Sequence, residues 1–262
     1  MNILDQIVSV KRKEVAKAKN LRSNKQLESS VLFSRETNSL KASLQNKSST
    51  GIIAEFKKAS PSKGLINDRA EVGDIVRAYA EYGAAGISVL TDEEFFKGSL
   101  IDLETARKEV PFMPLLRKDF IIDEYQLLEA KASGADVILL IAACLSETKV
   151  KRLALFAKSL QLEVLLEIHD EDELGHICEP VDMVGVNNRD LKTFRVDVKR
   201  SVDLGKKIPE DKIRISESGI SSIEAIRHLK TCGYQGFLIG ETFMKEANPA
   251  IAFASFVEQL NQ

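Results

Sequence analysis

A chain of 262 residues, at roughly 150 residues per domain, accommodates two modest domains or one large α/β barrel. Hydrophobic residues at 44% and charged residues at 29% are the proportions of an ordinary globular chain, which argues against disordered or collagen-like architectures and supplies a sizeable core. Lys and Arg number 37 against 39 Asp and Glu, a net charge of -2, so no dense basic block is present to neutralise phosphates, and a nucleic-acid reader is disfavoured.

In chain order, MNILDQIVSVKRKEVAKAKN interrupts its apolar residues with Lys and Arg every few positions and so lacks the apolar core of a signal peptide. Ile3, Ile7, Val10 and Glu14 fall at helical spacing. The first 45 or so residues therefore predict one or two amphipathic helices, followed by a connection in the Ser, Asn and Lys stretch from Ser34 to Thr50. No run approaches 18 apolar residues, so no membrane span is expected. Cys144, Cys178 and Cys232 are odd in number and irregularly spaced, fitting neither a disulfide framework nor a zinc ribbon. A cytoplasmic protein in a reducing compartment is expected.

After Gly51 short runs of Ile, Val and Leu alternate with amphipathic stretches, a repeated βα texture. Eight strands are predicted: Gly51 to Phe56, Gly86 to Leu90, Met113 to Arg117, Ala135 to Ile141, Glu163 to Ile168, Asp182 to Asn187, Lys212 to Ser216 and Gly236 to Ile239. Helices are predicted over Glu71 to Tyr82, Glu124 to Ser133, Ser146 to Ser159 and Ser221 to Cys232, with Gly83 and Gly134 ending two of them. Eight strands in just over 200 residues suit an α/β fold, a TIM (β/α)8 barrel preceded by an N-terminal helical extension. The competitor, an open doubly wound sheet, is disfavoured because no G-x-G-x-x-G follows the first strand. Residues 1–262 are read as one barrel domain, with 1–45 as the extension.

Barrels place their chemistry at the C-terminal strand ends. There the sequence delivers Glu55 and Lys57, Lys118, Glu167, Asn187 and Arg189, and Glu217 with Ser218. Side chains two apart share a strand face. Glu55 thus lies with Lys57 above Ile53, Lys118 follows Leu116, and Glu167 follows Leu165. Lys57, Lys118, Glu55, Glu167 and Glu217 would form a partly desolvated cluster of alternating charge, poised for proton transfer. Ser218-Gly219-Ile220 and Gly240-Glu241-Thr242 follow the last two strands, where barrels bind phosphate with backbone N–H groups. His169, His176 and His228 fit no metal spacing and read as surface or helix histidines. Cys144 reads as a small packed hydrophobe.

The segment IAEFKKASPSKG, from Ile53 to Gly64, resembles the signature of the indole-3-glycerol phosphate synthase family, the barrel that closes the indole ring in tryptophan biosynthesis. The likeness runs on through SVLTDEEFFKGS, LRKDFIIDEYQ, EVLLEIHDEDEL, VGVNNRDL, ISESGI and FLIGETFM, in order, after about residue 45. The charged N-terminal segment also resembles that family's helical extension over the barrel mouth. Phe56 departs mildly, standing where many members have an aliphatic residue.

The resemblance implies a carboxy-lyase converting 1-(2-carboxyphenylamino)-1-deoxyribulose 5-phosphate to indole-3-glycerol phosphate, carbon dioxide and water, without metal or organic cofactor. It implies Lys118 as general acid and Glu167 as base, with Glu55, Lys57 and Glu217 tuning protonation and orientation. Ser60, Asn187 and Arg189 resemble carboxylate and sugar contacts. Phosphate would sit on Lys57 with backbone groups of Ser218, Gly219, Gly240 and Glu241. The division of acid work between Lys57 and Lys118 stays open. The only implied partner is the small phosphorylated substrate, with a monomer expected although one chain does not fix oligomeric state. Phosphoribosylanthranilate isomerase and the tryptophan synthase α chain lack the first-loop pattern, and a non-catalytic barrel would be expected to lack Lys118 or Glu167.

Overall fold

The computed structural model describes residues 3–190 and 193–262. Eight parallel strands close into a barrel in sequential order: β1 Ile52–Phe56, β2 Gly86–Leu90, β3 Leu115–Lys118, β4 Val137–Ile141, β5 Glu163–Ile168, β6 Met183–Asn187, β7 Ile213–Glu217 and β8 Gly236–Ile239. β1 completes the ring by pairing with both β2 and β8. The strands are nearly all buried on both faces, which is why each reads as a continuous apolar run. β3 begins two residues later than the pattern predicts, because Pro114 ends the approach and its carbonyl accepts from Ile87.

Alternation along the strands divides the core in two. Ile52, Ala54 and Phe56 face the surrounding helices, whereas Ile53, Leu116, Leu139, Leu165, Met183 and Ile215 fill the barrel. Phe56 thus packs outward, away from the chemistry of the mouth. The predicted helices form at Val72–Glu81, Glu124–Ala132, Glu147–Ser159 and Ile223–Thr231. Gly83 and Gly134 follow with left-handed φ of 87° and 88°.

The N-terminal segment embraces the barrel from end to end. α1, Ile3–Leu21, lays its first turns across the mouth and packs Val15 against Tyr125 and Leu128. α2, Asn24–Glu28, packs Leu27 against the same helix. The Ser-rich stretch predicted as a connection contains a third helix, α3 Leu40–Gln45, which lies under the barrel. Leu40 and Leu44 supply the apolar reason by plugging the barrel floor. Glu163 receives the N–H groups of Leu40 and Lys41 at 2.9 and 3.0 Å and so caps α3 from the start of β5.

The roof is held by charge. Lys11 on α1 is 4% exposed, and its ammonium lies 2.8 Å from Asp92, 2.9 Å from Asp119 and 2.7 Å from Glu14. Burial works to discharge this lysine, but Asp119 and Asp92 outweigh it and its pKa is raised. Asp119 also accepts from Thr91 at 2.7 Å and Arg117 at 3.0 Å, and Asp92 caps the turn that carries Phe96. Replacing Lys11 with Met would leave two buried carboxylates without their shared cation. A loss of about 3–5 kcal/mol is expected from denaturant unfolding; a loss below about 1 kcal/mol would mean that apolar contacts alone hold the roof.

Candidate active site

The inward face of each strand turns from apolar to ionisable near its C-terminal end. Leu116 gives way to Lys118, Leu165 to Glu167 and Ile215 to Glu217, so carboxylates from β1, β5 and β7 converge with lysines from β1 and β3. Lys118 Nζ lies 3.3 Å from Glu167 Oε2 and 3.6 Å from Glu217 Oε2. Lys57 Nζ holds Glu55 Oε1 at 2.7 Å. Asn187 Nδ2 donates to Glu167 Oε1 at 3.0 Å. All twelve residues singled out in the sequence line one cavity of about 1100 Å³, counted to its open mouth.

The two carboxyls around Lys118 are not equivalent. Burial opposes ionisation of Glu167, but Lys118, His169 and Asn187 overcome it and hold its pKa well below the usual range. Glu217 is 1% exposed, and neither oxygen has a hydrogen-bond partner among the described residues. Burial first, then the Glu167 charge, push its pKa up to about 8. Lys118 is raised because Glu167, Glu217 and Glu55 outweigh the effect of burial. The two carboxyls are thus driven apart on either side of the Lys118 ammonium, Glu167 toward the ionised form and Glu217 toward the neutral acid. Gly185 on β6 makes room for this: a Cβ there would stand 2.0 Å from Glu217 Oε1.

Across the mouth, Ser218 adopts a left-handed φ of 66° and Gly219 one of 74°. A non-glycine residue in that region costs roughly 1–2 kcal/mol, and successive residues of this kind can turn their N–H groups toward one concavity. Glu241 sends its carboxylate to Lys63 at 3.3 Å and Arg189 at 3.2 Å. The segment after β1, read from sequence as a loop, contains a small antiparallel hairpin, Ala59–Ser60 with Gly64–Leu65. Arg189 reaches the Ser62 hydroxyl at 3.3 Å and so draws that hairpin toward the mouth.

Sequence reasoning missed the apolar lining and one histidine. Ile3, Leu4 and Ile7 from α1, with Phe96, Phe120 and Phe194, line the cavity. An apolar residue that lines a pocket has the same sequence signature as one that lines a core. His169 is 6% exposed and contacts Glu167, contrary to its reading as a surface or helix histidine. Its place two residues beyond Glu167 was the available signal. Cys144 packs against the core, as expected.

A sequence model of the family described as indole-3-glycerol phosphate synthase matches residues 4–256. The chain is 48% identical over 259 residues to a protein of that name from Bacteroides thetaiotaomicron, covering 99% of each chain. It is 43% identical to the protein of the same name from a Polaromonas species, covering 97% of each. Among solved structures, the tryptophan synthase α subunit of Legionella pneumophila superposes with a TM-score of 0.63 at 13% identity, over 86% of this chain and 98% of that one. The tryptophan synthase a2b2 complex of Pyrococcus furiosus gives a TM-score of 0.61 at 18% identity, over 81% of this chain and 98% of the matched one. At such identities these structures share the barrel fold.

The neutral state of Glu217 has a consequence for stability. Its folded pKa is raised, so the folded protein binds more protons than the unfolded chain between about pH 4.5 and 8. The stabilisation is full below the unfolded value and is lost as pH rises through about 8. Glu217→Gln, which imitates the neutral acid, should match the parent's melting temperature near pH 4, gain on it steadily as pH rises from about 4.5 to 8, and keep a constant lead above that. Parallel melting curves for the two proteins across that range would show Glu217 to be ionised throughout.

Proposed function

The chain belongs to the indole-3-glycerol phosphate synthase family, and from that premise we propose how its own residues divide the work of the reaction. It is a carboxy-lyase of tryptophan biosynthesis, closing the ring of 1-(2-carboxyphenylamino)-1-deoxyribulose 5-phosphate with loss of carbon dioxide and water. The observation that carries the assignment of roles is Lys118 standing 3.3 Å from Glu167 and 3.6 Å from Glu217, two buried carboxyls whose surroundings push their pKa values in opposite directions.

In the first step the aromatic carbon bearing the carboxylate attacks the sugar C2 carbonyl while the nitrogen lone pair delocalises positive charge onto nitrogen. Lys118 donates a proton to the developing alkoxide, where a buried ammonium stabilises charge that the ground state lacks. Carbon dioxide then leaves, and its bonding pair restores the aromatic ring. In the last step the C2 hydroxyl departs as water and a proton leaves C1. Glu167 takes that proton, since it is held in the ionised form that can accept one and its Asn187 contact fixes the carboxylate plane. Neutral Glu217, or Lys118 once solvent has returned the proton it gave in the first step, protonates the departing hydroxyl. Ile3, Leu4, Ile7 and Phe96 exclude water around the aromatic ring.

Lys57, paired with Glu55, serves the phosphate end together with the backbone of Ser218, Gly219, Gly240 and Glu241. Ser60, Asn187 and Arg189 orient the carboxylate and sugar. The Lys63 and Arg189 contacts to Glu241 support a lid role for the hairpin after β1. No organic cofactor or metal enters these steps. The extension and barrel act as one unit, residues 1–262, as a cytoplasmic monomer. Every group assigned a role comes from one chain, and no helix among the described residues is long and apolar enough to cross a membrane.

Turnover followed by indole fluorescence tests the roles. Lys118→Ala should lose about 10²-fold to 10⁴-fold in kcat, whereas Glu167→Gln should lose activity yet bind a substrate analogue nearly as well. Rates within a few-fold of the parent would move the acid and base elsewhere. Sulfate should raise the apparent KM without lowering the maximal rate, with equal activity in EDTA and in magnesium. Cleavage by protease near Lys63 should slow at saturating analogue; an unchanged rate would count against the lid.

A further inference from the structure

His169 lies just beyond β5, buried behind the cavity. Its Nε2 stands 3.2 Å from Glu167 Oε1, and its Nδ1 3.4 Å from Glu173 Oε2. The first is an ion-pair contact rather than an aligned hydrogen bond, since Nε2 finds no hydrogen-bond partner among the described residues. The His169 backbone N–H donates to Glu173 Oε2 at 2.6 Å, so Glu173 holds both ring and backbone. Glu173 is itself seated by the turn Glu171–His176, which His176 ties to the Leu145 carbonyl at 2.9 Å.

A neutral imidazole carries one N–H, and its other nitrogen would face a carboxylate with a lone pair. Between two carboxylates the ring is favoured as imidazolium. Burial opposes that charge, but Glu167 and Glu173 outweigh it and raise the pKa to about 10. The buried cluster at the strand ends sets three carboxyls, Glu55, Glu167 and Glu217, against two lysines, while Glu241 and Arg189 pair with each other at the edge of the mouth. Lys57 is committed to Glu55, and Lys118 stands between Glu167 and Glu217 at nearly equal distances. Lys118 donates a hydrogen bond to Glu167 and none to Glu217, a lean toward an ionised Glu167, but the two distances differ too little for Lys118 alone to fix the charge.

We infer that His169 is a positioning residue that breaks this near-symmetry: as a buried imidazolium bridging Glu173 and Glu167, it assigns the negative charge to Glu167 and leaves Glu217 protonated. The inference rests on the reading of Glu167 as base. The groups facing Glu167 are Lys118 from β3, Asn187 from β6, Glu217 from β7 and Glu55 from β1, with His169 and Glu173 behind. Cys144, after β4, faces it as an uncharged thiol, since burial, Glu167, Glu173 and Asp5 push its pKa up. His169 is the one cation among these whose position favours Glu167 over Glu217 so strongly.

Removing the imidazolium should raise the pKa of Glu167, so the acid limb of kcat/KM should move to higher pH. In His169→Asn a shift of about one pH unit is expected, a loss of about tenfold below the limb that recovers above it. KM should stay within a few-fold of the parent. Glu173→Gln should shift the limb in the same direction by less. A uniform fall in kcat at all pH values would overturn the inference, because a purely structural role would give that result.

Histidine-selective NMR on the parent protein provides a readout that survives misfolding of a variant. His169 should remain an imidazolium through pH 8, and Glu167→Gln should lower its midpoint; a midpoint near the ordinary value of about 6.5 would overturn the proposal. If Glu167→Gln kept full activity while the NMR midpoint stayed high, the reading of Glu167 as base would fail and not the ion contact.

Discussion

Three carboxyl groups buried around one ammonium set the terms for the rest of this structure. Glu55, Glu167 and Glu217 are each no more than 4% exposed. Carboxylates so placed are costly unless cations are brought among them or one of them accepts a proton. Both remedies are present. Lys57 and Lys118 bring ammonium groups among them, the His169 ring stands against Glu167 from behind, and burial with the neighbouring charge pushes the pKa of Glu217 up toward the neutral acid. The resulting array of ionised carboxylate, ammonium and neutral acid is what a sequence of proton transfers requires, held by strands whose lower halves are packed solid.

The array is enclosed by a chain segment that precedes every strand in sequence. α1 roofs the mouth through apolar residues and is fixed by the buried Lys11 between Asp92 and Asp119. Asp119 directly follows Lys118, and Asp92 caps the turn bearing Phe96, so the network that anchors the roof lies next to Lys118 and the apolar wall. At the opposite end α3 closes the floor with Leu40 and Leu44. The link between Arg35 and Asp136, at 2.6 Å, ties the intervening stretch to the start of β4. The extension is thereby part of both the core and the site.

The other side of the mouth is built from strain and movable charge. Ser218 and Gly219 adopt consecutive left-handed conformations, a cost that falls on Ser218 because glycine enters that region freely. Nearby, Glu241 occupies two cations, Lys63 and Arg189, that a dianionic ligand would also attract. These side chains are partly exposed, so their pairing is screened and exchangeable. The Lys118 cluster is buried and fixed. Rigid chemistry thus stands beside an adjustable binding edge.

Periodicity in the sequence determined the eight strands, the barrel and the face on which each ionisable residue stands. A charged residue two places beyond an inward apolar one, near the C-terminal end of a strand, comes to the rim, so Glu55, Lys118, Glu167 and Glu217 were legible together. The family motifs named the reaction on those same residues. Tertiary structure alone decided what depends on distance between segments far apart in the chain: α3 as the barrel floor, Lys11 as the anchor of the roof, and the apolar lining from α1. It also decided charge. Glu167 and Glu217 are the same residue type at equivalent strand ends, and they differ because His169 and Asn187 join Lys118 around one, while the other, deeper in the core, has Lys118 at 3.6 Å and no hydrogen bond. Protonation is a property of a residue's neighbours, which sequence order does not contain.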